Sequence, residues 1–152
     1  MKQNLILLAI VFVVGLSACT EDKYMDWKII NDQWFAKHKN DAKFSTASGL
    51  QYDTIFTAWK FDPRPNENSY VKIHYKEKLV DETVFMTDSN TWVNLSTAPA
   101  GFREGLLKMH IGAKYKFYIP AALGYNAAVV KPIIPINSIS IFEVQLLEII
   151  NQ

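Results

Sequence analysis

One cysteine stands among 152 residues, so no disulfide can be closed within this chain, and its fold must be held by burial and hydrogen bonding alone. Histidine is nearly as scarce. His38, His74 and His110 lie far apart, and with a single cysteine they make no cluster at metal-ligand spacing; no metal and no cofactor is expected. Neither sign of charge is in excess, with 16 Lys and Arg against 15 Asp and Glu, and loss of the first 18 residues removes only Lys2. A neutral chain has no electrostatic reason to seek nucleic acid. Also absent are internal repeats, low-complexity tracts, a phosphate-binding loop and a Ser/His/Asp constellation. The remaining composition, 49% hydrophobic and 20% charged, is that of one globular domain.

The one long apolar run, "LILLAIVFVVG", follows Lys2 and precedes Leu16-Ser17-Ala18-Cys19. That order of basic, apolar and small-residue regions is the layout of a secretory signal, and the run is too short to span a bilayer comfortably. Leu-Ser-Ala-Cys also resembles the bacterial lipobox, which implies cleavage before Cys19 and acylation of its thiol and new amine. Each buried acyl CH₂ contributes about 0.8 kcal/mol, so several chains on Cys19 would form a durable membrane anchor. An ordinary signal with a chance cysteine is the alternative. Glu21-Asp22 resembles a surface-export signal of some Gram-negative lineages, and reads equally well as a solvated tether. The expected location is therefore the Gram-negative envelope, lipid-anchored in the outer membrane, on either face. The sequon Asn94-Leu95-Ser96 carries no meaning in a bacterial lipoprotein.

Three segments follow: a signal over residues 1–18, a lipidated tether with an N-terminal helix over 19–44, and a folded domain over 45–152. A short tether over 20–26 precedes "DWKIINDQWFAKHKN", which sets Trp27, Ile30 and Trp34 at helical spacing, with Asp26 as N-cap. This aromatic stripe is a candidate dimerisation surface or lid, although packing on its own domain is the commoner meaning. From Ser48 onward the texture is that of strands. "LQYDTIFT" and "YVKIHYKEKL" flank the proline-rich connection "FDPRPNENS", and in the second Val71, Ile73 and Tyr75 share one face against Lys72 and His74. "FREGLLKM" gathers Phe102, Leu106 and Met109 on one side of a short helix. "GAKYKFYIP" then alternates Ala113, Tyr115, Phe117 and Ile119 with Lys114, Lys116 and Tyr118. Residues 120–137 read as a long loop, which in a compact domain is usually functional, and "SISIFEVQLLEII" closes the chain as a strand. The fold class is α+β, an antiparallel sheet wrapped on one short helix and preceded by another helix.

Five pieces in order, "SGLQY", "VKIHYKEKLVDETVF", "GFREGLLKM", "YIPAALGY" and "IPINSISIFEVQLLEI", resemble the FK506-binding type of peptidyl-prolyl cis-trans isomerase over about residues 45–150. The resemblance implies a half-wrapped antiparallel sheet around a short helix. It also implies an apolar pocket for proline-containing segments, lined by Tyr75, Phe85, Phe102, Tyr125, Ile134 and Phe142. Of these, Tyr75, Phe85, Tyr125 and Phe142 would act on the amide. Phe102 and Ile134 would bind, together with Met86, Ala98 and Pro99 at the rim. Phe102 stands where the family usually has tryptophan, which gives up one N–H donor. For Phe85 and Phe142 a plain core role serves as well.

Three departures bear on activity. Met86 replaces an aspartate that accepts hydrogen bonds within the family's pocket, and a thioether is only a weak acceptor. Ala98-Pro99 replaces Val-Ile, whose second residue offers a backbone N–H, and proline has none. After Tyr125, Asn126 and "AAVVKP" replace a glycine-rich run. Weakened isomerase activity on exported proteins is expected, and the alternatives are a non-catalytic binding module or a groove filled by the N-terminal helix or the 126–133 loop. If the pocket is otherwise intact, Met86→Asp is expected to raise activity or affinity.

Overall fold

In the computed structural model residues 22–124 and 134–152 are described, with residues 22–24 given by backbone only. The signal, Cys19 and the loop from Tyr125 to residue 133 lie outside the described residues. Among the described residues no helix is long and apolar enough to cross a membrane.

Six strands form one sheet: β1 (Phe44–Ser45), β2 (Gln51–Phe56), β3 (Tyr70–Lys78), β4 (Val84–Asn94), β5 (Lys114–Ile119) and β6 (Ser140–Ile150). Their spatial order is β1-β2-β5-β6-β3-β4, every neighbour antiparallel. The period-two pattern is what selects their two faces. On β5, Tyr115, Phe117 and Ile119 are buried while the intervening residues are half-exposed. On β3, Val71 and Ile73 are fully buried; on the opposite face the His74 imidazole lies 2.7 Å from the Ser89 hydroxyl, and Lys72 donates to Glu148 at 2.8 Å.

The short helix α2 (Ala100–Leu107) lies on the apolar face, and its Phe102 and Leu106 join Phe117, Val144, Leu146 and Met109 in one core. Two glycines one turn apart let it come so close. A Cβ on Gly105 would lie 2.8 Å from the Phe117 ring, and one on Gly101 would lie 2.6 Å from Ile119 Cγ2. Gly105→Ala is therefore expected to destabilise by about 1–3 kcal/mol through overpacking. Urea unfolding checks this: the midpoint should fall at unchanged slope, and an unchanged midpoint would mean that the helix is free to lift off β5.

The N-terminal helix α1 spans Asp22–His38, so it begins four residues before the expected cap, and Asp26 is interior to it. Its stripe is also rotated from the expected one: Ile30 is 49% exposed, whereas Asn31 is 1% exposed. The reason is polar. The Asn31 side chain donates to Trp27 O at 2.8 Å and accepts the Ile139 N–H at 2.8 Å, while Trp27 Nε1 donates to the Ser138 hydroxyl at 2.9 Å. Trp34 lies 6.1 Å from Tyr118 between ring centroids. Thus α1 packs on its own domain, against the segment that leads into β6.

Tyr118 couples the helix side of the sheet to pH. Burial first, then the charge of Asp53 and the hydrogen bond to it at 3.1 Å, push the phenol up to about 12. A group raised from 10.0 in this way contributes stability that is complete below pH 10 and is lost as the pH climbs toward 12. Tyr75 and Tyr115 are raised in the same direction, burial being the main cause. Tyr118→Phe is expected to flatten the fall in stability between pH 10 and 12, followed by denaturation at each pH. An unaltered slope would assign that fall to other groups.

Candidate active site

Between α2 and the β3–β4–β6 part of the sheet lies an open cleft of about 420 Å³, within the range usual for small-ligand sites. Its walls follow from register. Tyr75 on β3 faces Val144 on β6, and two residues along Glu77 faces Phe142, so Tyr75, Glu77 and Phe142 share one face. Phe102, carried in by the first turn of α2, completes an aromatic triad. Ring centroids are 4.5 Å apart for Phe102 and Phe142, 6.1 Å for Tyr75 and Phe142, and 6.3 Å for Tyr75 and Phe102. These separations are those of favourable tilted aromatic pairs.

Polar groups stand at defined points around this apolar hollow. Burial, then the negative charges of Glu77 and Asp88, hold the Tyr75 phenol above its ordinary range, so near neutrality its hydroxyl is a donor. At the rim, the 3₁₀ turn Leu95–Thr97 runs into Ala98 and Pro99, which caps α2. The Ala98 N–H already bonds Leu95 O at 3.3 Å, and Pro99 has none, so neither backbone position offers a donor to the cleft. Across β3 and β4, Met86 sits directly opposite Glu77, and both line the cleft. Glu77 is only 3% exposed.

The structure brings together Tyr75, Met86, Ala98, Pro99, Phe102 and Phe142 of the residues singled out by sequence. Phe85 and Ile134 are not in the described lining. Phe85 is half-buried and is the extra residue where the β3–β4 register shifts between Val84 and Met86, a bulge that re-aims its side chain. Ile134 is 2% exposed at the start of the segment leading to β6, and Tyr125 is outside the described residues.

Sequence reasoning missed Glu77, Ser140 and Trp92, all of which line the cleft. Counting two residues on from Tyr75 reaches Glu77, and two back from Phe142 reaches Ser140, so strand periodicity held both signals. Trp92 had none, because two register shifts lie along β3 and β4. Among the described residues no group of three His, Cys, Asp or Glu side chains could hold a metal ion. His74 turns away from the cleft, and His110 is tied at 2.6 Å to Arg64 Nε and to Asp62 O.

Comparison with known proteins agrees with this geometry. Residues 62–147 match the family model described as FKBP-type peptidyl-prolyl cis-trans isomerase. The chain is 32% identical over 118 residues to the FKBP-type peptidyl-prolyl cis-trans isomerase FkpA of Aeromonas hydrophila, covering 75% of this chain and 43% of that protein. It is 30% identical over 129 residues to the peptidyl-prolyl cis-trans isomerase FKBP15-2 of Arabidopsis thaliana, covering 81% and 76% respectively. The chain thus spans less than half of the bacterial relative and about three quarters of the plant one. The crystal structure of FkpA from Escherichia coli superposes with a TM-score of 0.77 at 23% identity, over 98% of this chain and 73% of that one. A half-wrapped sheet on one short helix, an aromatic cleft at their junction and a family match across more than half of the residues lead to one assignment: the chain belongs to the FKBP-type peptidyl-prolyl cis-trans isomerases.

Proposed function

We propose that this protein is a peptidyl-prolyl cis-trans isomerase of the cell envelope that assists folding of exported proteins, working more slowly than its family pattern would allow. The observation that carries the reading is the convergence of Tyr75, Phe102 and Phe142 on an open apolar cleft. The reaction needs nothing more reactive. Rotation about an X–Pro amide is slow because resonance gives the C–N bond double-bond character, with a barrier of about 18–20 kcal/mol, and the twisted state has lost that resonance. A dry aromatic hollow favours the less polar twisted amide over the planar one. Phe102 and Phe142 hold the prolyl ring, and the protonated Tyr75 hydroxyl donates to a substrate carbonyl. The resemblance of the sequence implies Phe85, Tyr125 and Ile134 as further pocket residues, of which Phe85 and Ile134 stand outside the described lining and Tyr125 outside the described residues.

The reduced rate follows from Met86, Ala98 and Pro99. Each tenfold in rate corresponds to only about 1.4 kcal/mol of transition-state stabilisation, so loss of one rim donor has a large effect. The N-terminal Leu-Ser-Ala-Cys supports the envelope location and a membrane anchor on Cys19. The test is a proline-rotation assay on a short peptide with the chain beginning after Cys19, with and without the family's macrolide ligand. Acceleration at micromolar protein, suppressed by the macrolide, is expected; no acceleration would sink the reading.

The missing backbone donors at Ala98 and Pro99 favour one second reading, a non-catalytic module that holds peptide segments. Peptide binding or suppression of aggregation without any effect on rotation would select it. A groove filled by α1 gains no support, since no α1 residue belongs to the described lining.

A further inference from the structure

Large apolar side chains stand in water where β2 ends. Phe56, Trp59 and Phe61 are 61%, 80% and 83% exposed, and so close together in the chain they form a patch of the kind that marks an interaction surface. The last two sit on a turn closed by the Asp62 N–H on Trp59 O at 3.0 Å, with Lys60 between them and its Nζ 5.1 Å from the centre of the Phe61 ring. Next to this turn lies a second pocket, of about 470 Å³. Thr57 and Arg64, which bracket the turn, both line it, together with Lys43, Lys108, Tyr52 and Tyr115. Three cations thus face it, and the described lining contains no Asp or Glu. Asp62 O lies 2.6 Å from His110 Nδ1 and fixes the ring proton there, so Nε2 accepts from Arg64 Nε at 2.6 Å and the guanidinium keeps its terminal nitrogens for another acceptor. Neither Arg64 nor Lys43 belongs to an ion pair among the described residues. Two acids stand near. Glu104 is 4.0 Å from Lys108 and already accepts from Ser48 at 2.5 Å, while Asp53 alternates to the opposite face of β2 and accepts from Tyr118 at 3.1 Å.

We propose that turn and pocket form one docking surface for a membrane of anionic phospholipid: Trp59 and Phe61 enter the interface, and Lys43, Arg64 and Lys108 receive a headgroup phosphate. The proposal depends neither on the isomerase reading nor on an anchor at Cys19. Charge complementarity selects the lipid, since each cation held near an anionic surface adds about fivefold in affinity. The shape of the apolar part agrees. An indole and a phenyl ring on a projecting turn bury their area well in the soft headgroup layer, where aromatic residues concentrate, and poorly against a flat protein face. Lys60, between the two rings, adds a further positive charge at the surface. The pocket shares no residue with the aromatic cleft, so docking leaves Tyr75, Phe102 and Phe142 accessible to peptide.

The experiment is co-sedimentation of the chain from Thr20 onward, which keeps every described residue and carries no acyl group, with vesicles of phosphatidylcholine alone or mixed with phosphatidylglycerol. Binding to the anionic vesicles should exceed binding to the neutral ones by about tenfold or more, and should weaken as salt is raised. Trp59→Ala with Phe61→Ala should lower it at least about tenfold through lost apolar burial, and Lys43→Gln with Lys108→Gln about twentyfold. None of these four side chains is buried, so the urea midpoint should hold in both double variants and separate lost docking from lost fold. Sedimentation with neither vesicle, or sedimentation indifferent to both double variants, overturns the inference. Inorganic phosphate is the remaining arm, followed by nuclear magnetic resonance of the pocket residues at constant ionic strength. Phosphate binding without vesicle binding overturns the membrane surface and makes the pocket a site for free anions. Self-association abolished by Trp59→Ala with Phe61→Ala, again without vesicle binding, overturns it in favour of an interface between copies. The comparison of vesicles on the unaltered protein needs no variant.

Discussion

Phe102→Ala is expected to lower stability by about 3–5 kcal/mol, the usual range for truncating a buried aromatic residue. The ring is 6% exposed and touches three others: Phe142 at 4.5 Å, Tyr75 at 6.3 Å and Phe117 at 6.4 Å between centroids. Its loss leaves a void where helix, sheet core and cleft floor meet, and α2 cannot collapse into it, because Gly101 and Gly105 already bring it against β5. Rotation should fall by about a hundredfold in protein still folded at low temperature, since a floor that no longer excludes water loses roughly 2.7 kcal/mol of differential stabilisation. Denaturant unfolding and the rotation assay read the two effects separately. Near-normal rotation in folded Phe102→Ala would place the chemistry somewhere other than this cleft.

Met86→Asp carries the second large effect, and its direction is reversed by the register. On sequence alone, restoring the family's aspartate is expected to raise affinity. In the folded chain position 86 directly faces Glu77, so the substitution sets a second carboxylate opposite one that is already buried. Like charges directly opposite across a ladder repel, and one of the pair is driven to hold a proton. Stability should drop by about 1–3 kcal/mol at neutral pH, the size of coupling between neighbouring groups, and ligand affinity should fall with it. The loss should shrink in acid, where one carboxyl of the pair is protonated. Glu77→Gln in the Met86→Asp background should recover most of it, so a double-mutant cycle gives the coupling directly. Additive effects in that cycle would mean that the two side chains do not meet.

These cases show how much was legible in the chain itself. Local alternation on β3 and β5 announced both strands and their buried faces, because one face must enter the core. The short helix was legible from Phe102 and Leu106, whereas Met109, counted with them in the sequence, lies past its end at Leu107. The start of α1 was not, since Asp26 has the chemistry of a cap yet lies inside the helix, and the docking face turned on the two hydrogen bonds of Asn31 rather than on the apolar Ile30. Within the site, Tyr75, Phe102 and Phe142 were named through the family resemblance, and the strands and helix that carry them bring them to one cleft. The bulge at Phe85 and the pairing of Glu77 with Met86 depend on long-range register, which no local pattern encodes.

The most direct measurement is nuclear magnetic resonance exchange spectroscopy on a short prolyl peptide with catalytic amounts of the protein. Exchange between cis and trans resonances should accelerate in proportion to protein, and transferred contacts should run from the prolyl ring protons to Tyr75, Phe102 and Phe142. Exchange no faster than in buffer, or ring contacts confined to residues outside the α2–β3–β6 cleft, would contradict the central claim.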